Sequence, residues 1–230
     1  MATSSHQPSR VAENESPAPI EVFFEFSSPY SYLAAQELPA LAARHGRPLR
    51  WRPIELGKVW AAQGVLEAYK AVRRAKAGYI WRDAARVAAD RGVALCPSQT
   101  PPDPTLARLA VHRLNRCAPA AAEAFVLETW RKLFVETAEI GSIDMLALGL
   151  DPQLRAELRA AQSDAQAAED LAVANRDAVA SGCFGVPWIV ADVDFRSGPA
   201  RPPGLPPDAE GRSRSLREVG RRARHARSCT

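Results

Sequence analysis

From Ile20 to Phe26 the chain is rich in β-branched and aromatic residues, and it runs straight into Ser28-Pro29-Tyr30-Ser31, where helical periodicity begins. The run is long enough for a strand and too short for a helix, which predicts a central β-strand. Tyr32, Leu33, Ala35, Leu38, Leu41 and Ala42 then recur at helical spacing. Pro29 suits a first helical turn, where its missing N–H is not needed, and Gly46 suits the far end, so one helix is predicted over 30–45. Leu49–Ile54, closed by Pro53, reads as a second short strand. Strand, tight turn, helix and strand make a βαβ unit, and that unit calls for a parallel pair of strands.

Residues 57–180 change character. They are alanine-rich with repeated helical periodicity, and Gly78, Gly92, Pro97, Pro101–Pro104, Pro119, Gly141 and Pro152 divide them into several helices. Gly182-Cys-Phe-Gly-Val-Pro187 then ends a helix and turns the chain into a β-rich stretch to Ala191, a return to the sheet. The predicted organisation is a polar, disordered extension over 1–19, sheet-forming portions over 20–56 and 181–195, a helical insert over 57–180, and a tail over 196–230. The tail carries five prolines, nine arginines and almost no large apolar residue, so it reads as disordered with at most a frayed helix over 216–227.

The formal charge of +4 invites a nucleic-acid reading until it is apportioned. From Arg196 onward nine arginines face Asp208, Glu210 and Glu218, a balance of +6, which leaves about −2 on everything before. A slightly acidic globular part, and a tail without interleaved aromatics, argue against nucleic acid as a partner. Cys96, Cys117, Cys183 and Cys229 are too far apart to make a metal or redox pair and read as reduced thiols of a cytoplasmic protein. The first nineteen residues have no apolar core of a secretory signal, and no run reaches membrane-spanning length, so no membrane partner is expected.

The order of strand, Ser-Pro-Tyr-Ser, helix, strand, helical insert, Gly-Val-Pro and strand resembles an α/β, thioredoxin-like fold of the DsbA-like kind with a large all-helical insertion. In that fold the first strand-to-helix junction usually carries Cys-X-X-Cys, and here Ser28 and Ser31 stand at both cysteine positions. A serine cannot form the mixed disulfide that thiol exchange requires, so disulfide chemistry is not expected. The fold commonly has a cis X-Pro bond before its third strand, facing the junction. Val186 would then offer its backbone to an extended peptide-like ligand, and Pro187 would hold it there.

The segments Phe24–Leu33, Trp51-Arg-Pro-Ile-Glu-Leu56 and Phe184-Gly-Val-Pro187 resemble the 2-hydroxychromene-2-carboxylate isomerases, which are similar to kappa-class glutathione transferases. The resemblance covers roughly residues 20–190. It implies a glutathione-dependent isomerase that interconverts 2-hydroxychromene-2-carboxylate and trans-o-hydroxybenzylidenepyruvate in aromatic-compound degradation, and it implies a homodimer. Ser28 would be the catalytic residue, donating a hydrogen bond to the glutathione sulfur, with Val186 and Pro187 completing the glutathione site. Lys76, Tyr79 and Asp83 fall where such isomerases often place a Lys-X-X-Tyr-X-X-X-Asp helix, which implies substrate contact for Lys76 and Tyr79.

Each choice has a plainer alternative. Ser28 also suits an N-cap, Tyr30 and Tyr32 suit packing, Cys183 suits a buried small thiol and His45 suits a helix C-terminus. Trp60 and Trp81 suit either a pocket for an aromatic substrate or the core. No metal site can be assembled from these residues. Two further readings stay open: a kappa-like transferase that keeps the conjugate, and a catalytically impaired DsbA-like protein.

Family members follow Gly-Val-Pro and its strand with a second strand and an aromatic-Gly-X-Asp-Arg-Leu stretch that opens the last helix. Here Asp192-Val-Asp-Phe-Arg-Ser-Gly-Pro199 stands instead. An Arg/Pro/Gly/Ser-rich run that begins abruptly at a strand end is what a shifted frame of a GC-rich gene encodes. On that reading glutathione binds more weakly than in an intact relative.

Overall fold

The computed structural model describes residues 17–97 and 101–191. Contacts divide the chain at Asp192, and all described residues belong to the first unit, Met1–Asp192. The expectations for residues 1–16, for the segment from Asp192 to Pro199 and for the tail from Arg196 lie outside the described residues.

Three strands form one sheet in the order β2-β1-β3. The middle strand β1 (Ile20–Phe24) pairs in parallel with β2 (Leu49–Pro53), Ile20 opposite Leu49, and antiparallel with β3 (Trp188–Val190), Phe23 opposite Trp188. The sequence run is near-continuously apolar because both faces of this strand are covered. Val22, Phe24 and Phe26 enter the larger core with Trp51 and Trp130, whereas Phe23 packs on the other side with Ile54, Val59, Ala174, Ala178 and Cys183.

The single helix expected over 30–45 is two. Helix α1 (Pro29–Ala35) stops, and α2 (Leu38–Arg44) begins with Pro39 in its first turn. Pro39 has no N–H to give the carbonyl of Ala35, and its ring crowds that carbonyl, so a continuous helix is broken there. Gly46, at φ +61°, closes α2 by donating to the carbonyl of Ala43, and His45 is its exposed C-cap.

Among the described residues seven helices follow: α3 (Leu56–Ala62), α4 (Leu66–Asp90), α5 (Thr105–Cys117), α6 (Pro119–Phe134), α7 (Ile143–Ala147), α8 (Pro152–Ala161) and α9 (Ala165–Ala180). Gly78, expected to interrupt a helix, lies inside α4, which runs through it. One exposed glycine costs about 1 kcal/mol against alanine, and the alanines, lysines and arginines around it carry the helix. Pro119 and Pro152 stand at helix starts as expected, and the Asp151 side chain caps α8 by accepting from the N–H of Leu154 at 2.9 Å.

These helices share the core of the sheet. Trp130 of α6 donates its indole N–H to the carbonyl of Phe26 at 3.1 Å, and its ring meets Phe24, Phe26 and Trp51 at centroid separations of 4.8 to 5.9 Å. Two buried titratable groups secure the packing. Lys132 donates to the carbonyls of Met145, Leu146 and Leu148 and so pins the end of α7 to α6, while burial pulls its pKa down. His112, only 4% exposed, meets the carbonyl of Pro53 through Nε2 at 2.9 Å, which joins α5 to the end of β2. A carbonyl only accepts, so Nε2 carries the proton of the neutral ring.

Burial lowers the pKa of His112 from 6.5 to about 4. The unfolded chain therefore takes up the proton first as the pH falls, and stability that is complete above pH 6.5 is lost between about 6.5 and 4, by about 3 kcal/mol. Urea unfolding followed across that window should show a falling midpoint in the wild type and a flatter profile in His112→Gln.

Candidate functional site

The end of β1 builds one wall of a cavity of about 680 Å³, within the range of small-molecule sites. The chain leaves the strand at Phe24 and turns on a hydrogen bond from the Ser28 N–H to the carbonyl of Glu25 at 3.1 Å. Ser28 is the N-cap of α1, extended at φ −91° and ψ 113°, and its Oγ accepts from the N–H of Ser31 at 3.2 Å. A hydroxyl has one donor and two acceptor positions, so the cap leaves its O–H free to donate into the cavity. Ser31 is buried, and its Oγ has no partner among the described residues.

Val186 lies in the same cavity wall, and its bond to Pro187 is cis. Among the described residues, no backbone hydrogen bond uses its N–H or C=O. Helix α3 holds this loop: the Trp60 indole donates to the carbonyl of Phe184 at 3.1 Å, and the Gln63 amide donates to the carbonyl of Cys183 at 2.8 Å. Trp60 in turn stacks on Tyr69 of α4, with centroids 4.5 Å apart and planes within 7°. Both rings line the cavity, and Trp81 joins them there.

Of the residues singled out in the sequence, Ser28, Val186, Lys76, Trp60 and Trp81 line this cavity together. Pro187 sits beside the wall without lining it, and Tyr79 is 59% exposed and lies outside it. Residues 76, 77, 80 and 81 fall on one arc of a 3.6-residue helix, and Tyr79 falls off that arc. Asp83 has a different task. It accepts a hydrogen bond from the Tyr30 hydroxyl at 2.9 Å and so ties α4 to α1. Burial and that carboxylate push the Tyr30 phenol up to about 12, while Arg86 and Tyr30 hold Asp83 below the usual carboxylate range.

Glu25 and Arg108 also line the cavity, and neither was singled out from the sequence. Glu25 is buried. Its carboxylate accepts from Nη2 of Arg108 at 2.7 and 3.0 Å and from the N–H of Leu56 at 3.0 Å. Burial pushes its pKa up, and Arg108 and the Leu56 N–H pull against that. An acid set between Phe24 and Phe26 was the available signal, because a charge placed among such apolar neighbours requires a partner.

Among the described residues there is no group of three or more His, Cys, Asp or Glu arranged to hold a metal ion, and no helix is long and apolar enough to cross a membrane.

The profile of the DsbA-like thioredoxin domain matches residues 19–206. The chain belongs to that family. Its sequence is 44% identical over 45 residues to a 2-hydroxychromene-2-carboxylate isomerase of Sphingobium xenophagum, a stretch that spans 20% of this chain and 23% of that relative. The solved structure of a 2-hydroxychromene-2-carboxylate isomerase superposes with a TM-score of 0.61 at 26% identity, covering 74% of this chain and 84% of the other. A candidate protein disulfide isomerase of Nitrosomonas europaea superposes at 0.59 with 13% identity, over 79% and 87% of the two chains, a likeness of fold. Within this DsbA-like fold both junction cysteines are replaced by serine.

Cys183 lies behind the cavity rather than in its wall, fully buried, with its thiol donating to the carbonyl of Gly185 at 3.3 Å and its pKa raised by burial. Brief iodoacetamide treatment of the native protein should label the exposed Cys96 and Cys117 and leave Cys183 unmodified until denaturant is added. Peptide mass spectrometry reads the result, and labelling of Cys183 as fast as Cys96 would contradict its buried position.

Proposed function

We propose that this chain is a glutathione-dependent isomerase acting on a small aromatic acid of the 2-hydroxychromene-2-carboxylate type. The observation that carries the reading is one cavity in which a serine hydroxyl with a free O–H, an unpaired stretch of backbone at Val186 and a flat aromatic stack come together. The partial sequence likeness to an isomerase of that name supports it.

The residues fit glutathione. An extended peptide needs a backbone donor and acceptor, and Val186 has both unused among the described residues. Glutathione bound there supplies a thiolate, a nucleophile whose reversible addition to a conjugated double bond frees rotation about it. Ser28 would offer its hydroxyl hydrogen to the sulfur of glutathione held there, and a hydrogen bond to the charged form favours that form. Lys76 adds a cation to the cavity lining for a carboxylate of glutathione. The Trp60–Tyr69 stack offers a flat face to an aromatic ring, where offset or parallel stacking contributes beyond area alone. Tyr79 has no part in this reading, because it stands outside the wall.

Incubating the protein with glutathione and 2-hydroxychromene-2-carboxylate separates the rival activities. Absorbance should report trans-o-hydroxybenzylidenepyruvate at a rate that depends on glutathione, with no conjugate accumulating by mass. Ser28→Ala should lower kcat by about 10²–10³-fold, the scale of losing one aimed donor, and should move the ultraviolet thiolate titration of bound glutathione to higher pH. A wild-type rate indifferent to glutathione would overturn the proposal, and a stable conjugate would favour a transferase.

A further inference from the structure

We propose that Arg108 is the specificity-determining residue of this cavity: its guanidinium, steered by Glu25, receives the carboxylate of a flat aromatic acid whose ring stacks on the Trp60–Tyr69 pair. The inference rests on the isomerase reading for its substrate class, and on the following geometry for its residue.

The side chains of Arg108 and Glu25 are 13% and 9% exposed. Arginine–carboxylate pairs frequently use the two-nitrogen fork that fits a carboxylate. Here both contacts leave through the single nitrogen Nη2, and Nε is buried with no partner. Glu25 cannot supply what is missing, because it also serves the N–H of Leu56. The guanidinium is thus anchored through one nitrogen: Nε is sealed from the cavity, and Nη1 makes no hydrogen bond among the described residues.

The charge of the wall points the same way. Lys70, Lys76 and Arg108 line the cavity against the single acid Glu25, although the chain before Arg196 is slightly acidic as a whole. Lys70 already meets Glu67 at 2.8 Å on an exposed surface, so its charge is partly spent and screened. Arg108 is paired as well, with Glu25, but it is held largely out of water, where the attraction of a further carboxylate is screened least. Glu25 fixes where Arg108 stands, which makes it a positioning residue.

The test uses binding without glutathione or turnover. Quenching of tryptophan fluorescence is titrated with 2-hydroxycinnamate and with 2-hydroxycinnamamide, which differ in the carboxylate alone. The wild type should prefer the acid by about 10-fold or more, the scale of one charge-assisted contact. Arg108→Gln should bring the two affinities together while the amide binds within about 2-fold of wild type. Arg108→Lys, which keeps a charge opposite Glu25 and protects the fold, should lose most of the preference. Glu25→Gln, which loosens the anchor of the guanidinium, should weaken the acid preference, and Lys76→Gln should change it by less than about 3-fold.

Equal binding of acid and amide by the wild type would overturn the assignment whatever the variants do. So would an acid preference that survives in Arg108→Lys. If the acid preference follows Arg108 but no glutathione-dependent isomerisation occurs, the isomerase reading fails and the assignment of Arg108 stands.

Discussion

The carboxylate of Glu25 is buried one residue beyond the central strand, and the elements around the cavity meet on it. Its two oxygens take Arg108 from α5 and the N–H of Leu56 at the start of α3, and its own carbonyl takes the N–H of Ser28 at the cap of α1. Moving a carboxylate out of water costs several kcal/mol, and removing one partner of such a pair costs more than the pair contributes. The position of Ser28 relative to α3 and α5 is therefore set by an interaction that tolerates little displacement. Helix α3 extends the same frame to Val186, because Trp60 and Gln63 hold the carbonyls just before it. The cavity is a consequence of how two charges and two backbone carbonyls find partners.

What could be read from the sequence was what neighbouring residues decide. The apolar run at Ile20, the cap at Ser28, the glycine at position 46 and the turn at Val186-Pro187 are local arrangements, and each stands where its own chemistry puts it. The break before Pro39 was equally local and was missed because the apolar spacing on either side stays in register through it. Gly78 shows the converse, a residue that disfavours helix yet yields to strong helix formers on both sides. The pairing of Glu25 with Arg108 joins residues far apart in sequence, and no periodicity connects them. Nor did spacing decide between Lys76 and Tyr79, since only the orientation of α4 says which arc faces the cavity.

The comparisons divide along the same line. Likeness in fold extends over about three quarters of the chain, whereas the strong likeness in sequence is confined to 45 residues. A fold hosts many activities, and function has to be argued from the site. The junction carries Ser28 and Ser31, and aromatic rings and three cationic side chains line the cavity beside it.

The register of the sheet also sets an order of events during synthesis. β1 and β2 lie close in the chain and can pair once the first helices have formed, but the other edge of β1 waits for Trp188–Val190. Until the whole helical stretch has emerged, this apolar strand presents an open edge. Such an edge is a template for pairing with another chain, and closing it late is slow because the partners are distant in sequence. A nascent chain that stalls within α4 to α9 thus carries its stickiest surface uncovered, which makes the helical stretch a delay as well as a wall of the cavity.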